Sequence, residues 1–476
     1  MFCQLDSLRH CFPQNLRQFI NQMPETLDET YEQILKNINK AQKDDALRLL
    51  QCLTIAVRPL RVEELAELLA FDFPTPTSGG IPKLKEDWRW DDQEEAILSI
   101  CSGLIAVVRS GDSRVVQFSH FSVKEYLTSL RLARSDGDIS QFFIDLDAAH
   151  TILAQACLGT LLRLDDRAGT SGAKEFPLVK YAAQHWVDHA RINNVSSRVL
   201  DGMDDLFDTS KPHFAAWLLV HDMDETWAYV SHGPPRGFGS PLYYAALCGF
   251  YDLAERLITK YPEQVNAGGG RIRAPLLAAL YKRHFGVASL LLQHGAAMDI
   301  RDKIGWTPLH AAPVSGQVDI MRWLLNHGAD ANAQTIGGRT PLHLAALKKQ
   351  PDAVRVLLEH NADVNLRNNV DETPLYEAIS NFDASLEGKI VDIVRQLLAH
   401  GADTNIRNRS HSTLLHQASF HGSLKVAQLL LSHGANVDEK DGEGRSPFQV
   451  ASLRGYQEIM KLLLEHGAER GAVPLP

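Results

Sequence analysis

The sequence predicts a mostly α-helical chain: a non-repetitive helical region with one β-hairpin, followed by a solenoid of stacked helix pairs. Three observations predict it. From residue 240 onward a phrase recurs as SPLY, APLL, TPLH, TPLH, TPLY, TLLH and SPFQ, with its second residue at 241, 275, 308, 341, 374, 414 and 447. Five of the six steps are 33 or 34 residues and one is 40, the period of a helical repeat array. All but the first phrase are followed by a second one, in turn LLQHGA, LLNHGA, LLEHNA, LLAHGA, LLSHGA and LLEHGA. Residues 1–230 lack this period, but they carry apolar residues at helical spacing and one pair of alternating runs, GLIAVVR and RVVQFS, around the turn SGDS.

Taken in order, ETLDETYEQILKNINK (25–40), DDALRLLQCLTIA (44–56) and RPLRVEELAELLAF each read as a helix. The loop DFPTPTSGGIPK is an excursion rich in Pro, Ser and Gly, and a further helix is expected over 92–102 before the hairpin. Three helices closed by a two-stranded hairpin describe a winged helix over 44–130. Residues 131–230 read as helical, interrupted by DDRAGTSGAKEF. They end in the Pro/Gly linker SHGPPRGFGS, after which 231–476 hold seven repeats.

Composition excludes several classes. The chain has 476 residues, 45% of them apolar and 22% charged, and a net charge of −10, which gives no reason to expect a nucleic-acid partner. Cysteines at 3, 11, 52, 101, 157 and 248 form no CxxC pair, so dispersed thiols of a reducing compartment fit better than a disulfide framework or a zinc site. The N-terminus shows no signal-peptide pattern, and TILAQACLGTLLRL is too short and too polar to span a bilayer. A cytoplasmic protein without membrane contact is expected.

Within a repeat, Thr307 of TPLHAA is placed to cap a helix start, with Pro308 at the first helical position, where no donor is missed. Gly328 of NHGA is placed to close the second helix in the left-handed conformation, and Asn361 replaces it in one repeat. The 40-residue repeat is expected to lengthen the loop between its helices at NFDASLEGK, and Pro313 should distort the first helix of its repeat. Histidines 294, 327, 360, 400, 433 and 466 share one repeated place. Neighbouring helices lie about 10 Å apart, whereas zinc wants its nitrogens at about 2 Å, so this ladder cannot chelate and no metal is expected. In the last helical turn these side chains suit the free carbonyls. His310, His343 and His416 belong to the capping phrase and read as structural in the same way.

The period and both phrases resemble the ankyrin repeat over about half the chain. Together with PETLDETYE, FSHFSVKEYL (118–127), KYAAQHWVDHA and HFAAWLLVHDMD, they resemble fungal NACHT–ankyrin proteins, relatives of NLR receptors within the STAND class of signalling NTPases. The resemblance implies that 1–43 is the helical tail of a NACHT domain. It also implies that the winged helix, of the GPI inositol-deacylase type, closes over a nucleotide, and that His120 contacts its phosphate, framed by Phe118, Ser122, Glu125 and Tyr126. The plain alternative for His120 is a cap or packing residue at a helix start.

A phosphate cradle needs a glycine-rich turn with Gly-Lys-Ser/Thr, and the sole Gly-Lys pair here is Gly388-Lys389, followed by Ile390. LLRLDD (161–166) mimics an acidic magnesium-binding strand end but continues a helix. The nucleotide-binding part is therefore expected to precede residue 1, no cofactor is expected here, and no catalytic motif stands out.

What remains is surface. In the ankyrin architecture the hairpin tips and the ends of the first helices line one concave face, where sequence is free to encode partner choice. Tyr281, Lys282, Lys348, Phe420, His421 and Arg454 fall at the helix ends, and Arg301, Arg367 and Arg407 at one repeated tip position. These nine are the candidate partner-binding residues, and their basic character predicts an acidic protein partner. The competing explanation is that basic tips only aid solubility. The expected function is that of a non-catalytic interaction module, the sensor and regulatory half of an NLR-like protein. The alternatives are a fragment of a parent STAND NTPase or a plain ankyrin scaffold.

Overall fold

The computed structural model describes residues 26–73, 80–88, 90–135, 137–164, 176–223, 238–380 and 382–470. It is mostly helical and divides into two compact units, Met1–Glu225 and Thr226–Pro476.

The first unit opens on α1 (Leu27–Lys36), which starts at a reciprocal cap: Glu29 N–H donates to Thr26 Oγ1 at 3.2 Å, and Thr26 N–H to Glu29 Oε2 at 3.4 Å. Two of the motif residues in PETLDETYE thus serve a helix start. The winged helix follows as α2 (Lys43–Ile55), β1 (Leu60–Arg61), α3 (Val62–Leu69), β2 (Phe71–Asp72), β3 (Lys83–Leu84), α4 (Gln93–Cys101), β4 (Ile105–Ser110) and β5 (Ser113–Phe118). The expected hairpin forms with Val107 opposite Val116, and β1 adds a third antiparallel strand through Leu60 opposite Val116. A two-residue strand is too short for alternation to reveal. The strands β2 and β3 pair across the Pro/Ser/Gly excursion, whose residues 74–79 lie outside the described ones.

The helical segment comprises α5 (Phe121–Leu127), α6 (Leu130–Ala133), α7 (Leu146–Leu161), α8 (Val179–Ala190), α9 (Val195–Arg198), α10 (Leu200–Leu206) and α11 (His213–Val220). Residues 165–175, most of the expected loop and the acidic end of LLRLDD, and 224–237, most of the linker, lie outside the described residues. Its core explains two of the motifs. Trp186 of KYAAQHWVDHA meets Trp217 of HFAAWLLVHDMD edge-on at 5.4 Å, Phe207 packs against both, and Trp217 Nε1 donates to the Ala183 carbonyl at 3.1 Å. Buried aromatics of this size dominate a small helical core.

The second unit is seven helix pairs. These are α12 (Pro241–Cys248) with α13 (Tyr251–Lys260), α14 (Pro275–Tyr281) with α15 (Phe285–Gln293), α16 (Pro308–Ser315) with α17 (Val318–Asn326), and α18 (Pro341–Leu347) with α19 (Pro351–Glu359). The last three are α20 (Pro374–Ser380) with α21 (Glu387–Ala399), α22 (Leu414–His421) with α23 (Leu424–Ser432), and α24 (Pro447–Arg454) with α25 (Gln457–Glu465). Each first helix packs on the next first helix, and their small and branched residues (Ala345, Ala346, Leu342, Ile379) are fully buried.

The capping phrase does more than cap. His310 Nδ1 accepts from Thr307 N–H at 3.1 Å and lies 2.8 Å from Thr307 Oγ1, while Nε2 donates to the Arg339 carbonyl of the next hairpin at 3.1 Å. His343 repeats this with Thr340 and the Glu372 carbonyl, and His416 with Thr413 and the Arg445 carbonyl. These histidines are structural, as expected, but at helix starts and as bridges between repeats. The other ladder sits where the last turn needs donors: Nδ1 of His327, His360, His400, His433 and His466 reaches the carbonyl four residues back at 2.7–2.9 Å.

Two expectations need correction. The seven extra residues of the long repeat do not simply lengthen a loop. They form a 3-10 turn (Ala384–Leu386) and extend α21 to 13 residues, where the other second helices have nine or ten, so that Gly388 and Lys389 lie in its first turn. Pro313, expected to distort α16, is accommodated inside it, and the helix runs on to Ser315 and closes at Gly316 in the left-handed conformation. Only the bond from residue 313 to the Leu309 carbonyl is lost, close to the helix end.

Gly328 has φ +89° with open space where a Cβ would stand, and Asn361 has φ +59° in the matching place. Gly328→Val should therefore lower stability by about 1–2 kcal/mol through backbone strain alone. Asn361→Gly should be neutral or slightly stabilising, both read from urea midpoints.

Burial pushes His310 and His343 down to about 4 and lowers His416 as well. A folded pKa below the unfolded value near 6.5 means that the unfolded chain takes up the proton first. The stability from these neutral rings is complete above about pH 6.5 and is lost as the pH falls toward 4, on the order of 1–3 kcal/mol each for His310 and His343. In the last repeat Gln449 makes the same cap, its Oε1 accepting from Ser446 N–H at 2.9 Å. His343→Gln should thus keep the cap yet flatten the loss of stability between pH 7 and pH 4.5, measured as the change in urea midpoint.

Candidate protein-interaction surface

The first helices end, and the hairpins between repeats turn, at the candidate residues. The tips come first. Arg301 Nη1 donates to the Gln334 carbonyl of the next tip at 2.8 Å and to Gly305 at 3.2 Å. Arg407 pairs with Glu439 of the following hairpin, and Arg409 with the Asn369 carbonyl. Arg367 is exposed and makes no ion pair among the described residues. Two of the three tip arginines, though exposed, are therefore also fasteners between neighbouring hairpins.

At the helix ends the picture differs. Tyr281 is not a free anchor: its hydroxyl donates to Asp302 Oδ2 at 2.7 Å and its ring stacks on Trp306 at 5.7 Å. Lys282 follows as the half-buried cap of that helix. Lys348 is exposed, and so is Arg454; neither has an ion-pair partner among the described residues. Arg454 lies over the ring of Phe420 at 3.8 Å, and Phe420 remains 43% exposed. His421 is half-buried between Phe420 and Phe382, at 5.1 and 5.7 Å. The structure thus brings Phe420, His421 and Arg454 together and leaves Tyr281, Arg301 and Arg407 in the fabric of the repeats.

Two residues escaped the sequence reading. Lys349 is 4% exposed, with its backbone at φ +55°, where the repeats around it use Gly316, Gly422 and Gly455. Its Nζ donates to the carbonyls of Glu377 (3.0 Å) and Ala378 (2.8 Å) in the next first helix, and burial lowers its pKa to about 8. The departure from glycine was the available signal. Phe382, in the long repeat, takes the same place one repeat further on and stacks on His421.

His120, the other candidate, is the N-cap of α5. Its Nδ1 accepts from Ser122 N–H at 3.3 Å and lies 2.6 Å from Ser122 Oγ, which in turn is 2.7 Å from the Tyr31 hydroxyl. The ring therefore caps the start of α5, the role the plain alternative gives it, and remains exposed, while Ser122 links α5 to α1. The helix that a nucleic-acid reader would present, α4, instead starts with Asp92, Glu94 and Glu95, and the wing's Arg114 is tied to Glu94. Among the described residues no group of three or more His, Cys, Asp or Glu is placed to hold a metal ion, and no helix is long and apolar enough to cross a membrane.

Comparison with known proteins follows this division. Residues 33–144 match the family model described as the winged helix domain of GPI inositol-deacylase. Residues 242–335 and 382–472 match ankyrin repeats in three copies, and 324–378 match ankyrin repeats in many copies. Among curated relatives, the azaphilone pigments biosynthesis cluster protein L of Monascus ruber is 32% identical over 297 residues, 58% of this chain and 61% of that protein. An ankyrin repeat protein of Rickettsia felis is 44% identical over 72 residues, 15% of this chain and 31% of its own length. The chain thus spans less than two thirds of either relative. The ankyrin repeat domain of Bcl-3, of the IkappaB family, is 27% identical with a TM-score of 0.42, over 48% of this chain and all of that one. The chain therefore carries a winged helix domain of the GPI inositol-deacylase type and an array of ankyrin repeats, a scaffold for contacts between proteins.

Proposed function

We propose that this chain is the non-catalytic sensor and regulatory part of an NLR-like NACHT signalling protein, working in the cytoplasm. Its ankyrin repeats hold an acidic protein partner, and its winged helix reports that event to a nucleotide switch. The observation that carries this reading is the presence in one chain of that type of winged helix ahead of the repeat array. Support for an acidic partner comes from the first-helix ends, where exposed Arg283, Lys348 and Arg454 have no ion-pair partner among the described residues. A plain ankyrin scaffold is the second reading, favoured by His120, whose Nδ1 is already engaged by Ser122.

Two measurements test the proposal. Calorimetry on the purified chain should detect neither ATP turnover nor saturable ADP binding, since Gly388 and Lys389 lie in a helical turn that forms no phosphate cradle. Micromolar ADP binding that disappears in His120→Ala would overturn this. A partner cross-linked to the chain in its native host should associate more slowly as salt rises, because screening acts over about 10 Å at 0.1 M. A partner whose association rate ignores salt would remove the acidic-partner part of the reading.

A further inference from the structure

The last three first helices, α20, α22 and α24, end on a continuous ledge. Phe382 stacks on His421, His421 meets Phe420 edge-on, and the Arg454 guanidinium lies over the Phe420 face at 3.8 Å. Leu453 is 51% exposed beside it, and the Tyr456 ring lies where a side chain at Gly422 would stand. Behind the ledge, the buried Lys349 ammonium is fixed on two carbonyls, and His421 hydrogen-bonds to the Ser380 backbone. His421 is held below its ordinary pKa by burial, with Arg454 and Lys349 pushing the same way. The ledge is positive as well as apolar.

A groove of about 480 Å³ adjoins it, with Phe420 as the shared wall. On its far side Arg445 is closed off by Asp441, at 2.8 and 3.0 Å, and by Glu443 at 2.6 Å. The groove is otherwise lined by Asn408, Ser410, Ser412 and Gln417, with Gln417 Nε2 donating to Ser412 Oγ at 3.3 Å, and by the apolar Phe420 and Val450, so it suits a peptide backbone that carries an apolar side chain. A guanidinium stacked on an aromatic face keeps its edge N–H groups free and already oriented, the fork that grips a carboxylate bidentately.

We propose that this ledge and groove bind an extended peptide segment in which an Asp or Glu adjoins a large apolar residue. The carboxylate meets the edge of Arg454, the apolar side chain rests on Phe420 and Leu453, and the backbone crosses the groove at Ser410, Ser412 and Gln417. The inference rests on the reading of this face as the interaction surface and narrows it to the last three repeats. A basic segment is repelled there by the exposed Arg454.

The test is to pan a phage library of random 12-residue peptides on the full chain, then to measure synthetic copies of the enriched peptides by fluorescence anisotropy. The chain is compared with Arg454→Gln, with Phe420→Ala, and with the double variant Arg283→Gln, Lys348→Gln. Expected are peptides with Asp or Glu next to Leu, Ile, Phe or Trp, bound about tenfold more weakly by either of the first two variants, the size of one lost charge-assisted contact. The double variant should bind them unchanged, and thermal midpoints should match, since all four side chains are exposed. Peptides indifferent to Arg454→Gln but weakened by the double variant would overturn this inference and leave the broader reading of the face standing. Peptides indifferent to every variant would overturn both, and failure to enrich any peptide would overturn the proposed ledge.

Discussion

The hydrogen bond from the imidazole of one capping phrase to the hairpin carbonyl of the next repeat is the constraint around which the array is built. One ring does two tasks: Nδ1 closes the start of its own helix, and Nε2 fixes the distance and register of the neighbour. Since both nitrogens are engaged, the ring must be neutral with its proton on Nε2, and the buried site keeps it so. A repeat contacts only its neighbours, so stability accumulates through such links rather than through one central core. A second ladder reinforces the first. Asn332, Asn365 and Asn405 each accept, through Oδ1, a backbone N–H from the next repeat at 2.8–2.9 Å.

This demand on polar groups explains which charges remain free for a partner. A hairpin tip that must hold its neighbour spends its arginine on a carbonyl or a carboxylate, as Arg301 and Arg407 do. A cation at the end of a first helix is favoured by the negative end of the helix dipole and does not need an acidic partner. Lys348 and Arg454 thus keep their charge available, while Lys349 gives its own up to the next helix. The aromatic residues divide likewise: Tyr281 is bound to Asp302 and Trp306, and Phe420 stays open.

The first unit uses buried polar chemistry in the same economical way. Val57 N–H donates to the Tyr181 oxygen at 3.2 Å, leaving the Tyr181 proton for His189 Nε2 and the His189 Nδ1 proton for His150 Nδ1, both at 2.9 Å. This chain joins the end of α2 to α7 and α8, and burial pushes His189 down to about 3. Nearby, the fully buried Glu64 holds Arg58 through both oxygens at 2.7 and 2.8 Å. Isolated buried charges would be costly, so each is paired.

Much of this fold was legible in the sequence because its signals are local. Thr307 and Pro308 announce a helix start within two residues, Gly328 a helix end, and GLIAVVR with RVVQFS a hairpin around four residues of turn. Six recurrences of such local signals determined the period and therefore the architecture. The strand β1 was hidden because two residues carry no pattern, and the helical gain of the long repeat because an insertion can enter either a loop or a helix. The candidate surface was legible only in outline. Whether a basic residue is a fastener or a free charge depends on partners such as Glu439 for Arg407, Gln334 for Arg301 and Glu377 for Lys349, all 28 to 33 positions away in sequence. Composition and periodicity by themselves determined that helix ends and tips would be basic. Only the tertiary structure, by stacking one repeat against the next, decided which of those charges the fold consumes and which it leaves facing out.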